Sequence, residues 1–295
     1  MSVVCRSKPL LSIALVSSPR RIRVKGARPA ERPVVGAHPS RPHPFGEVLN
    51  AADGLTATEV PHRALTEREG VRDSTVQHLR EMLVLHHVSP DALRRSEEQR
   101  EALKRLGFDA RQARFGRFPA NPATQKGNLA EIVLAEYVVA ANNVALPVYR
   151  LRYNPNVDQA MKGDDVLAFD LEATLPTVLV GEAKFRGASS AAAVKEIIEG
   201  LLRSFKGGLP ASLQFVADRL FEQGETELGA KVLDCARLFA LGELRIDYVG
   251  ILLSDTKASQ RVNDATPKSL RRLAVISFGV QEPDALVEAC YEGLV

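Results

Sequence analysis

Between Thr177 and Arg186 the chain reads TVLVGEAKFR, an apolar run that ends in charge. Its alternation predicts a strand, with Val178, Val180, Glu182 and Lys184 on one face and Leu179, Gly181, Ala183 and Phe185 on the other. An acid and a lysine two residues apart then stand about 7 Å from each other along one face. Packing gives no reason for such an ending. Burying a carboxylate and an ammonium costs free energy unless they are paired or bound to something. An ion pair on an edge strand is the plain account, and a functional site is the other.

The elements around this strand decide what it can be part of. Upstream, NLAEIVLAEYVVAANN predicts an apolar helix from Asn128, with Leu129, Ile132, Val133 and Ala140 facing a core. Glu131 falls in its first turn. Asn128-x-x-Glu131 resembles a capping box, and the alternative is that Glu131 points at a cation shared with the strand. Three strands are expected in succession, at Leu146 to Tyr153, Asp165 to Glu172 and Thr177 to Phe185. Gly163-Asp164-Asp165 delivers two acids to the second of them, as turn chemistry or as acids that meet Glu182 across the hairpin. A long amphipathic helix from Ser189 to Phe205 follows, then helices near Ala211 to Gln223 and Thr226 to Leu241. Strands at Leu244 to Ser254 and Leu273 to Gly279 and a helix opening at Pro283 complete the pattern.

The first part of the chain has a different character. Residues 1–45 carry nine Lys and Arg against the one acid Glu31, a net of +8, while the whole chain carries +3. Residues 1–60 are expected to be a disordered basic arm rich in Pro and Arg, or sequence ahead of the true start. Residues 61–110 read as a helical region, with helices from Asp73 to Val88 and Asp91 to Leu106, the second capped by Ser89-Pro90. Residues 111–295 read as the domain that holds the motif strand.

Several chemistries are excluded. All six histidines precede residue 88, so the body around the strand offers no Ser-His-Asp, Cys-His or histidine-built zinc site of its own. His86-His87 reads as a helix end, since adjacent helical residues do not share a face. Neither G-x-x-x-x-G-K-[ST] nor G-x-G-x-x-G occurs, so no nucleotide cofactor is expected on this chain. Cys5, Cys235 and Cys290 have no pairing or metal-ligand spacing, which suits a reducing cytoplasm. No run reaches the roughly 18 apolar residues of a membrane span.

The set Glu131, Asp165 and Glu182-x-Lys184, spaced by 34, 17 and 2 residues, resembles the PD-(D/E)xK nuclease superfamily. GNLAEIVLAEYV, KGDDVLAFD and VLVGEAKFR followed by a long helix resemble, more closely, the HamA family of nuclease subunits of the Hachiman anti-phage defence system. The likeness covers about Lys126 to the end of the chain. It implies an α/β fold, a restriction-endonuclease-like αβββαβ core whose mixed sheet is flanked by helices, with the helical region and the basic arm appended.

The implied activity is hydrolysis of DNA phosphodiester bonds with Mg²⁺ or Mn²⁺, beside a superfamily 2 helicase of the HamB kind that would own any use of ATP. Asp165, Glu182 and the Ala183 main-chain carbonyl are the implied metal shell, completed by Glu131, with Lys184 orienting or deprotonating the attacking water. Such chemistry needs a divalent ion to screen anionic phosphate and oxygen ligands to hold it. The sequence departs from the superfamily pattern in lacking a proline before the acid, and Asp164 competes with Asp165 for the ligand position. Asp165 is preferred because Gly-x-Asp places it at the strand start.

Asp255-x-Lys257 repeats the acid-x-Lys spacing after a later strand, without an acid-bearing hairpin beside it. Arg150, Arg152, Lys162 and Arg186 flank the expected site and are candidates for phosphate contacts. Two further functions fit the same residues: a catalytically silent subunit that binds a helicase or DNA, and a free-standing repair or restriction-type endonuclease.

Overall fold

The strand at Thr177–Phe185 (β4) lies inside a six-stranded mixed sheet. The computed structural model describes residues 33–108 and 117–294. In chain order the strands are Leu49–Leu55 (β1), Pro61–Glu67 (β2), Val166–Asp170 (β3), β4, Arg245–Ser254 (β5) and Leu273–Gly279 (β6), and they line up as β1-β2-β6-β5-β4-β3. The four central strands β2, β6, β5 and β4 are parallel, and each edge is closed by an antiparallel neighbour. Parallel strands covered on both faces read as near-continuous apolar runs, which is how RIDYVGILLS and LAVISFG read here.

Helices cover the two faces and make two cores. On one face lies Pro122–Asn142 (α4), flanked by Arg72–His87 (α2) and the C-terminal helix Pro283–Tyr291 (α9). Leu129, Ile132, Val133, Leu134, Tyr137 and Val138 of α4 are all buried. A helix apolar on all sides belongs in the interior, and each fully buried large apolar side chain contributes about 1.5–3 kcal/mol. It is therefore a rigid platform for Glu131. On the other face lie Ala191–Lys206 (α5), Leu213–Glu222 (α6) and Thr226–Leu241 (α7), with Ala258–Ala265 (α8) beside them. Pro90–Arg105 (α3) stands outside both cores with no buried residue, and Pro44–Val48 (α1) is a single turn that packs Phe45 and Val48 inward. No helix among the described residues is long and apolar enough to cross a membrane.

The mixed sheet flanked by helices is the fold class expected, and four features of it are corrected. The described residues from 33 onward form one compact unit, in which β1 extends the sheet where an arm was expected to residue 60 and β2 extends it where a helical region was expected from 61. Residues 1–32 lie outside the described residues. Similarly α2 is no appendage, because Leu79 and Leu83 are buried in the core that α4 shares. Leu146 to Tyr153 is not a strand. Ala145 makes one bridge to Phe169, Pro147 brings no N–H to extend it, and Arg150–Tyr153 closes into a 3-10 turn. Finally, α4 begins at Pro122, capped by Asn121, whose side chain accepts from the Ala123 N–H. Asn128 is therefore inside the helix and Glu131 does not close a capping box.

Candidate active site

Strand β3 stops pairing early, and the site forms where it stops. Its first rung is Val166 to Gly181, so Glu182 to Phe185 continue along β5 with no neighbour from β3 on their other edge. That leaves the Ala183 N–H on an open edge. Asp165, one residue before β3, fills the gap: the Ala183 N–H donates to its Oδ2 at 2.9 Å. Glu182 and Lys184 both point toward the α5 face, where Nζ of Lys184 meets Glu182 Oε1 at 2.5 Å and donates to the Ala183 carbonyl at 3.2 Å. Glu131 arrives from α4 on the opposite side of the same edge.

Arg150 ties the two sides together. Its Nε lies 3.4 Å from Glu131 Oε1 and its Nη1 lies 3.6 Å from Asp165 Oδ1. The same guanidinium donates to the main-chain carbonyls of Asp164 and, at 2.6 Å, Met161. Three acids, one lysine and one arginine thus share a single strand edge. Burial pushes the Glu131 carboxyl up to about 8, with Asp165 and Glu182 adding to the effect and Arg150 opposing it. Burial and then Asp165 also raise Glu182, against the pull of Lys184. A further cation bound beside Glu131 and Glu182 would favour their ionised forms.

The close approach of α5 depends on a glycine. A Cβ on Gly200 would lie 2.3 Å from Cδ of Glu182, so this helix position is hollow where the Glu182 carboxylate rests against it. Gly181 does the same on the other face, where a Cβ would meet Leu134 and Val166 at 2.8 Å. Neither contact is visible in residue spacing. Both fix where the acids stand.

Asp164 and Asp165 separate cleanly. Asp164 is buried and makes reciprocal bonds with Ser212, accepting from its N–H at 2.9 Å and donating its own N–H to the hydroxyl at 2.8 Å. It pins the 161–164 loop, while Asp165 faces the strand edge. Asp255-x-Lys257 is turn chemistry, with the Lys257 N–H on Asp255 Oδ1 at 3.1 Å ahead of α8.

A cleft of about 390 Å³ opens onto the edge, lined by Lys126, Asn128, Glu131, Asp165, Lys184 and Arg186. A second cavity of about 330 Å³ lies on the other side of Glu131 and Asp165, lined by His86, Tyr149, Arg150 and Lys162 among others. A wider cleft of about 1350 Å³ between α2, α3 and α9 does not include these acids. Its Arg80 caps the carbonyls that end α9.

Of the expected phosphate contacts, Arg150 and Arg152 are committed to the protein. Arg152 donates to the Leu85 carbonyl and stacks over Tyr149 at 4.3 Å. Arg186 lines the cleft, held by Glu196 at 2.5 Å and by the Phe185 carbonyl. Lys126, paired with Asp284 at 2.8 Å, is a cation at the cleft mouth that the motif reading missed. The fold also brings histidines to α4 from outside the expected domain. His86 meets Glu136 at 2.7 Å, and His87 packs against Asn128.

Among the described residues no three His, Cys, Asp or Glu side chains converge as a ready metal-binding group. The reason is in the bonds above: Lys184 engages Glu182, while Arg150 lies against Glu131 and Asp165. By donor chemistry the set still suits a hard divalent cation, since three carboxylates and the Ala183 carbonyl are all oxygen.

A family model described as HamA matches residues 45–294. The chain is 36% identical over 259 residues to the Hachiman protein HamA of Bacillus cereus, covering 88% of this chain and 93% of that protein. The chain belongs to the HamA family.

Proposed function

We propose that this HamA-family chain is a metal-dependent DNA nuclease subunit of an anti-phage defence system, built on the PD-(D/E)xK plan and acting with a superfamily 2 helicase. The observation that carries this reading is the strand edge at Ala183. There Asp165, Glu182 and Lys184 meet around the main chain of one residue, with Glu131 beside them. The defence setting and the helicase rest on the likeness to a protein named for Hachiman.

In this reading Asp165, Glu182 and the Ala183 carbonyl hold a Mg²⁺ or Mn²⁺ ion, with Glu131 completing the shell from α4. Bound there, the ion screens the phosphate charge and acidifies a water. Lys184 handles the proton and the charge. Its ammonium already stands on Glu182 and the Ala183 carbonyl, so it lies beside the ligands, where it orients the attacking water and offsets charge that develops on phosphate oxygens. Lys126 and Arg186 at the cleft mouth take the DNA backbone, a contact that positions substrate without reading its sequence. Their present partners, Asp284 and Glu196, are surface acids that DNA phosphates replace.

The test is cleavage of end-labelled single- and double-stranded DNA with Mg²⁺, Mn²⁺ or EDTA, with and without the helicase and ATP. Metal-dependent cutting supports the reading. Absence of cutting in every arm, with the helicase still bound, assigns the chain to a silent interaction subunit instead.

A further inference from the structure

We infer that Arg150 is a resident second cation of the site, occupying the place that a second metal ion takes in a two-metal phosphodiesterase, so that the chain binds one divalent ion. The inference deepens the nuclease reading above and rests on it. In two-metal sites a pair of ions about 3.5–4 Å apart clamps the attacking and leaving oxygens. Here a fixed positive charge already lies between two of the acids, 3.4 Å from Glu131 and 3.6 Å from Asp165.

The guanidinium is anchored where it is. Nη1 and Nη2 donate to the carbonyls of Asp164 and Met161, and the loop that bears those carbonyls is pinned to the start of α6 by the reciprocal Asp164–Ser212 bonds. Swinging Arg150 out of the cluster breaks both main-chain bonds and leaves two part-buried carbonyls without these donors.

Charge counting leads to the same number. Among the groups in contact, Glu131, Asp165 and Glu182 carry three negative charges when ionised, and Lys184 and Arg150 carry two positive ones. One divalent ion takes the cluster from −1 to +1, the sign that a phosphodiester needs. A second would take it to +3 inside a partly buried edge. Without Arg150 the count falls to −2, so that one ion only neutralises the cluster and a second takes it to +2 where it would have reached +3.

The experiment is a titration of Mn²⁺ into the full chain, followed by calorimetry and by electron paramagnetic resonance of the unbound ion, for wild type, Arg150→Met and Arg150→Lys. The expected stoichiometry is one ion in wild type and in Arg150→Lys, and two in Arg150→Met. Two ions in wild type, or one in an Arg150→Met protein that melts cooperatively, overturns the inference. If Arg150→Met does not fold, two ions in Arg150→Lys overturns it equally. A wild type that cuts DNA with two ions bound removes this inference alone, whereas one that neither binds Mn²⁺ nor cuts removes the nuclease reading too.

Discussion

A Cβ built on Gly200 would sit 2.3 Å from Cδ of Glu182, so one helix residue on α5 sets the resting place of the acid on β4. The atoms it would strike are the far end of a flexible side chain, which can swing away cheaply. Gly200→Ala is therefore expected to leave folding nearly intact, since alanine in a helix interior gains about 1 kcal/mol over glycine. The Glu182 carboxylate is what moves. A displacement near 1 Å costs about 100-fold in rate. Melting curves and cleavage rates on the same preparation check this, and a Gly200→Ala protein with full activity contradicts it.

The two neighbouring acids predict opposite phenotypes. Asp164→Ala removes the acceptor of the part-buried Ser212 N–H and should cost about 1 kcal/mol or more of stability. Its cleavage rate at low temperature should stay within a few-fold of wild type. Asp165→Asn keeps an oxygen for the Ala183 N–H but loses its charge, so its fold should hold while activity falls by about 10³-fold. Urea unfolding beside cleavage assays separates the two. Exchanged phenotypes would reassign the ligand to Asp164.

Acid sensitivity has one identifiable source at the α2–α4 contact. Burial lowers the His87 pKa from 6.5 to about 4. The partners agree with a neutral ring, as Nδ1 lies 2.9 Å from the Leu83 carbonyl and Nε2 faces the Asn128 amide at 3.2 Å. The unfolded chain binds this proton first as pH falls. Stability is then complete above pH 6.5 and drains away between 6.5 and about 4, by about 3 kcal/mol from this group. His87→Gln should show a shallower loss over that window than wild type in urea titrations at pH 7 and 4.5. Equal slopes would count against the assignment.

Much of the site was legible in residue order, because a charged pair at the end of an apolar strand has few packing explanations. Asp165 was legible from the glycine ahead of it and from its distance to β4. Gly200 was not, since a glycine eighteen residues beyond Glu182 carries no mark of the carboxylate it accommodates. Arg150 read as a phosphate contact because its carbonyl partners, Asp164 and Met161, come together only through the loop that folds back on it. Edge strand β1 escaped notice for a plainer reason. LNAADGL buries Leu49 alone and owes its strand to pairing with β2, leaving no alternation to detect. The cap of α4 was misplaced by about two turns because Asn121-Pro122 and Asn128 both carry helix-start chemistry.

The most direct test of the account is the initial rate of Mg²⁺-dependent cleavage of end-labelled DNA by wild type, Glu182→Ala and Lys184→Ala, each first shown to melt as wild type does. Neither side chain is packed into a core, so matched melting is expected for both. The account predicts that wild type cuts, that EDTA stops it, and that each substitution lowers the rate by about 10³-fold or more. A folded Lys184→Ala or Glu182→Ala protein that cuts at the wild-type rate, or a wild type indifferent to EDTA, would contradict it.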